Sequence, residues 1–196
     1  EAIRFIKIGE RLTKGMSLYL WKLSHANTLL SSLVLAKCLN CQLWEDTQYV
    51  VRQLPGIGPA LASLLVSAGK TSFDSITDAN PRDLERILNR HPPFGNQLQE
   101  VVWRIPRFGL RLILTGEQIE LTVDIINPGD NPHHSVNLIV GDNNNNIFLR
   151  QRFQDNSWTL NKEYIVKIPL KICKEASVIE AHLISDSWVG IDQKAS

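Results

Sequence analysis

The sequence has no apolar run approaching the roughly 20 residues that cross a membrane. Glu1, Arg4, Lys7 and Glu10 interrupt the first ten positions, so neither a membrane span nor a secretory leader is expected. Cysteine is scarce. Cys38, Cys41 and Cys173 are the whole set, and an odd number of thiols fits a reducing compartment, not a disulfide scaffold. Excess charge is also missing. The 21 Lys+Arg and 20 Asp+Glu leave a net +1, too little to coat a nucleic acid by charge alone. There are no internal repeats. No Ser/His/Asp, Cys/His or paired-carboxylate constellation can be assembled from the linear order. No acidic helicase motif is present, so ATP hydrolysis is not expected of this chain.

Three partial motifs resolve into structure. Ala68-Gly69-Lys70-Thr71 has the ending of a phosphate-binding loop, but Leu64 stands where the motif needs its first glycine. Gly69 reads instead as a helix C-cap. Cys38-Leu39-Asn40-Cys41 is a CxxC pair without the second pair that structural zinc requires. It reads as helical, buried thiols. His133-His134 lies in a loop with no third ligand, and Trp158 and Trp188 read as core or edge residues of a sheet. No cofactor or metal is therefore expected on this chain.

What is present is a hairpin signal, Leu54-Pro55-Gly56-Ile57-Gly58-Pro59-Ala60-Leu61-Ala62. Two glycines allow a tight reversal, and Pro59 suits the first position of the following helix. Free amides at such a helix start favour phosphate. Gly56, Ile57 and Gly58 are thus candidate nucleic-acid contacts that grip backbone without reading sequence. No basic residue follows the second glycine, so a purely structural hairpin stays open beside the DNA-contacting one.

The 196 residues, 43% hydrophobic, suit one large or two small domains with a real core. Up to about Trp103 the pattern is helical. Phe5, Ile8, Leu12, Met16 and Tyr19 form one apolar stripe on a first helix, with Arg4, Lys7, Arg11 and Lys14 beside it as a solvated or phosphate-lining face. Further helices are expected over about 27–44, 46–53, 59–68, 81–89 and 96–103. The second is apolar nearly all round, as a central bundle helix is. Arg82, Arg86 and Arg90 recur at i, i+4 and i+8, either as a solvated face or as phosphate contacts. Residues 1–53 hold seven Lys/Arg against four Asp/Glu, and residues 106–196 hold nine against eleven. The first part is the better phosphate neighbour and the last the better protein neighbour.

From Arg107 onward the pattern alternates. Strands are expected around 110–114, 119–125, 136–140, 147–153, 164–168 and 178–185, with Gly141–Asn146 as a turn. Six strands in about ninety residues point to an immunoglobulin- or fibronectin-like β-sandwich. The chain stops at Ser196, so a closing strand is expected to be short or missing. The expected fold class is α+β multidomain. A partial helical bundle occupies 1–53, a helix-hairpin-helix with linker helices 54–105, and the sandwich 106–196.

This order resembles the Sec-sixty-three homology region, a C-terminal part of superfamily-two helicases. Leu35–Glu45 and, more specifically, Leu84-Glu85-Arg86-Ile87-Leu88-Asn89-Arg90-His91-Pro92-Pro93-Phe94-Gly95-Asn96 resemble the meiotic crossover-promoting DNA helicases of the Mer-three or Hfm-one family. The resemblance implies a non-catalytic accessory module of a nuclear, ATP-dependent DNA helicase in meiotic recombination, with ATP and Mg bound elsewhere in the parent protein. It implies a ratchet-like helix over 27–44, on which Lys37, Asn40 and Trp44 face a DNA strand. It also implies weak contact with single-stranded or branched DNA, and recombination partners such as a MutL-type protein held by the sandwich. The alternative is a pure protein-interaction platform of the same fold in an RNA helicase or a translocation complex, without nucleic-acid contact.

Overall fold

The computed structural model describes residues 1–127, 129, 134–154, 163–169 and 178–196. His133, Trp158 and Cys173 lie outside the described residues. The order is α1 (Ala2–Leu20), α2 (Ala26–Cys41), a 3-10 turn (Val50–Gln53), α3 (Pro59–Ser67), α4 (Phe73–Thr77), α5 (Pro81–Leu88), α6 (Phe94–Trp103), β1 (Arg107–Thr115), β2 (Gln118–Asn127), β3 (Ser135–Asp142), β4 (Ile147–Gln154), β5 (Glu163–Pro169), β6 (Ile179–Ser185) and β7 (Gln193–Ala195). The class is α+β.

Helices α1 and α2 pack through small and hydroxyl-bearing residues. Thr13 Oγ1 donates to the Gly9 carbonyl at 2.8 Å, and Ser17 Oγ lies 2.6 Å from Ser32 Oγ. A Cβ on Gly9 would already stand 3.3 Å from Leu39. These hydroxyls satisfy themselves on the helix backbone, which lets the polar face of α1 be its buried face. The apolar stripe consequently points outward: Phe5 is 69% exposed, Leu12 69% and Tyr19 66%. Periodicity locates this stripe, and its outward direction comes from the packing of α1 on α2.

The helix expected over 46–53 shrinks to the 3-10 turn, because Gln42 adopts a left-handed conformation that ends α2 and the Thr47 hydroxyl takes the Tyr49 amide at 3.1 Å. Helix α4 was not anticipated. Ser72 and Ser75 build its capping box. Helix α5 begins as expected, with the Asn80 side chain accepting the Arg82 amide and Pro81 in the first turn.

The strands form two antiparallel sheets, β1-β2-β5 and β4-β3-β6-β7. The six expected strands are all present, and β7 is a short seventh paired with β6. Phe108, Ile119, Leu121 and Val123 from one sheet and Val136, Leu138, Val140 and Leu183 from the other join one hydrophobic cluster. The cluster continues into Val51, Leu54, Leu65, Ile76 and Leu84 of the helical part. A smaller cluster of Leu20, Leu29 and Ile139 seats the α1–α2 hairpin on the outer face of β3. With both its faces covered, all eight residues of β3 are buried.

Candidate nucleic-acid interface

The hairpin turn is held from below and open above. Ile57 is buried in the core, so its side chain anchors the turn and only its backbone could meet a ligand. Gly56 takes φ +78°, a conformation that L side chains rarely adopt, and a methyl group added at Gly56 or Gly58 would have nothing within 4 Å. No side chain caps α3, which leaves the positive end of its backbone dipole uncovered. The turn is fastened to the far end of the chain. The Gln53 side-chain amide accepts the Val189 N–H and donates to the Val189 carbonyl, each at 2.9 Å. Gly190 approaches Val50 so closely that a Cβ would meet it at 2.9 Å. Trp188 stands edge-on to Phe73 at 6.0 Å.

The residues implied for a ratchet-like helix separate. Asn40 and Trp44 are exposed, but Trp44 lies beyond the end of α2 and borders an apolar cleft with Ile6, Leu39 and Leu43. Lys37 does not face a strand. Its side chain is wholly buried between the carboxylates of Glu45, at 2.6 Å, and Asp192. The lysine ties α2 to the end of β6–β7, and two acids for one buried cation leave it no freedom to reach outward.

The three arginines do not form one stripe. Arg82 bonds Glu85 at 2.8 Å, and the half-covered pair also takes the Gly95 amide on Glu85 Oε1 at 3.0 Å. Burial works to raise the Glu85 carboxyl, and these two bonds bring it below its ordinary range. Arg86 pairs with Asp83 on the surface at 3.0 Å. Asn89 turns left-handed at φ 50° and ends α5, so Arg90 leaves the helical face and its guanidinium sits 5.8 Å over the Phe94 ring. Helix α3 packs on α5, which makes Arg86 and the hairpin neighbours at the level of elements. Arg52, exposed in the 3-10 turn just before the hairpin, was missed. The available signal was a cation two residues ahead of Leu54-Pro55-Gly56.

Among the described residues, no group of His, Cys, Asp and Glu side chains is placed to hold a metal. Gly69 takes φ +75° after α3, with the Lys70 amide returned to the Leu65 carbonyl, as a C-cap and not a phosphate loop. Cys38 is buried and Cys41 donates its thiol to the Ser187 carbonyl at 3.2 Å. Burial pushes the Cys41 thiol up to about 11, which keeps it protonated and unreactive. His134 and Ser185, 2.9 Å apart, are both buried away from solvent. No helix of the described residues is long and apolar enough to cross a membrane.

Residues 4–196 match the family described as the Sec63 Brl domain. Over 98% of its length the chain is 33% identical to "Probable ATP-dependent DNA helicase HFM1" of Xenopus tropicalis. It is 32% identical over 98% to the protein of the same name in Homo sapiens. It is 30% identical over 94% to "ATP-dependent DNA helicase homolog MER3" of Arabidopsis thaliana. The chain spans 16%, 14% and 17% of these three proteins, about one sixth of their length.

Proposed function

The chain belongs to the Sec63 Brl domain family, and from that premise we propose that it is a non-catalytic accessory module of an ATP-dependent DNA helicase acting in meiotic recombination in the nucleus. Its helical part, with a helix-hairpin-helix around Gly56–Gly58, guides DNA. Its two sheets form an immunoglobulin-like sandwich that docks recombination proteins, a MutL-type protein among them. ATP and Mg belong to the parent helicase. The residues of this chain do not fit them, since Leu64 and a helix C-cap replace the phosphate loop.

The observation that carries the DNA half is the uncovered start of α3. Ile57 pins the turn to the core while Gly56, Gly58 and the first amides of α3 face solvent. Asn40, Trp44, Arg52, Arg86 and Arg90 are the exposed side chains that support it. Gly58 takes φ −81°, which alanine adopts freely. Gly58→Ala therefore adds a methyl at the exposed start of α3 without straining the backbone, while Gly56→Ala strains it.

The test is fluorescence anisotropy of the chain on single-stranded, duplex and branched DNA at several salt concentrations. Binding that weakens with salt, and weakens again in Gly58→Ala at unchanged melting temperature, is the expected result. Absence of binding at low salt would make the hairpin a structural unit and leave the protein-interaction half alone.

A further inference from the structure

Between the α1–α2 hairpin and the outer face of the four-stranded sheet lies a cleft of about 550 Å³, within the size range of pockets that enclose a ligand. Asn137 of β3 forms its floor. This residue is 4% exposed, and no hydrogen bond reaches its side-chain amide among the described residues. That amide opens onto the cleft, where a ligand can take both its donor and its acceptor. The walls are apolar, from Leu18, Trp21 and Leu33. On the rim stands Arg150 of β4, whose guanidinium donates to the Leu23 carbonyl at 3.0 Å and meets no carboxylate among the described residues. The acid on the rim, Asp186, is already taken by the Ser135 amide and the Ser135 and Ser187 hydroxyls. A cation lacking an acid, an amide lacking protein partners and an apolar wall thus converge on one cleft.

We propose that this cleft binds a short peptide segment of a protein partner that presents a carboxylate beside an apolar side chain. The carboxylate pairs with Arg150, a peptide group pairs with Asn137, and the apolar side chain lies on Trp21 and Leu33. A peptide is favoured over a nucleic-acid strand because the cleft has apolar walls and offers a single unpaired cation among the described residues. The other cations of the lining are engaged: Lys14 with Glu10 at 2.6 Å, Lys37 with Glu45 and Asp192, and Arg152 with the Ser135 hydroxyl and, at 3.7 Å, Asp186, so no row of free cations tracks a phosphate chain there. The site lies where helical hairpin and sheet meet. It rests on the docking half of the function proposed above and gives that half a location and a partner chemistry.

The experiment titrates the chain with fluorescein-labelled, capped Leu-Asp-Leu-Glu and with its neutral twin Leu-Asn-Leu-Gln. Two variants accompany it. Arg150→Gln removes the cation on a half-exposed side chain, and Asn137→Leu fills the floor with an apolar side chain. Melting temperatures show that each is folded. The acidic peptide is expected to bind at least tenfold more tightly than its twin and to lose about tenfold in each variant. Equal binding of both peptides, or binding that neither variant weakens, would overturn this site and leave docking elsewhere on the sandwich standing. Displacement of the acidic peptide by oligo-thymidine, with the same two variants weakening oligo-thymidine binding, would overturn it in favour of a nucleic-acid site.

Discussion

Asn145 caps α2 from 118 residues away: its Oδ1 accepts the Asn27 amide at 2.7 Å and its carbonyl accepts the Ala26 amide at 3.1 Å. His25 supplies no side-chain cap of its own, so the β3–β4 turn does the work of an N-cap. Asp142 shapes that turn by accepting the Asn144 and Asn146 amides. Asn145 itself sits at φ 70°, where Asn is tolerated and alanine is strained. Asn145→Ala is expected to cost about 2 kcal/mol, combining a lost cap with backbone strain. Asn145→Gly, which removes the side chain and relieves the φ, should cost about half as much. Urea unfolding of both variants checks this, and equal losses would show that the side-chain cap is the only contribution.

Lys37 is a structural residue in this arrangement. Lys37→Met leaves the Glu45 and Asp192 carboxylates together without their cation, and breaking a buried pair from one side costs about 3–5 kcal/mol. The exposed changes Asn40→Ala and Trp44→Ala should stay within about 0.5 kcal/mol of the parent. DNA binding should respond in the opposite order, with Asn40→Ala and Trp44→Ala weakening it and Lys37→Met leaving it unchanged wherever the variant is folded. A Lys37→Met variant of parental stability and impaired DNA binding would restore the strand-facing reading.

The same triad has a pH signature. Burial pushes the Asp192 carboxyl up to about 6 from 3.8, with Lys37 opposing the rise and Glu45 adding to it. A raised carboxyl binds its proton more tightly in the folded state than in the unfolded one. Its contribution is therefore whole below about pH 4 and is lost as the pH climbs through 6. At about 1.36 kcal/mol per tenfold change in proton affinity, the loss is on the order of 2 to 3 kcal/mol. Glu85, Asp142 and Glu180 are shifted the other way and mask it in the whole protein. The measurement is therefore a difference. Unfolding free energy of the parent minus that of Asp192→Asn should fall between pH 4.5 and 7.5, and a flat difference would mean that Asp192 titrates normally.

These interactions mark the limit of what a linear reading can find. Helix ends with local chemistry were legible, such as Asn80-Pro81 before α5 and Gly69 after α3. So were the six alternating strands. Features set by distant partners were not. Periodicity places Phe5, Leu12 and Tyr19 on one side of α1, but it carries no sign for inside and outside. Here Thr13, Ser17 and Ser32 decide the sign by bonding to backbone and to each other. Lys37 looks like any helical lysine until Asp192, 155 residues later, is folded against it. In the candidate site the glycine turn at Gly56–Gly58 and the start of α3 at Pro59 were visible as local features. The cleft over Asn137 was not, because its walls come from α1, α2, β3 and β4.

Within the more specific family-like segment, Leu84–Asn96, Gly95 has a steric reason that needs no ligand. At Gly95 the first turn of α6 crosses the start of α5. A Cβ there would overlap the Pro81 carbonyl oxygen and lie 2.7 Å from its carbon. The Gly95 amide also donates to the buried Glu85 carboxylate at 3.0 Å, so the backbone cannot retreat without breaking that bond. Gly95→Ala is thus expected to cost at least about 3 kcal/mol, the upper end of overpacking. Gly15→Ala is the matched control, since nothing lies within 4 Å of its Cβ position in α1. It should stabilise the chain by about 0.5–1 kcal/mol through helix propensity. Thermal melting of the two variants should bracket the parent, and a Gly95→Ala variant that melts with the parent would show that α5 and α6 can separate freely.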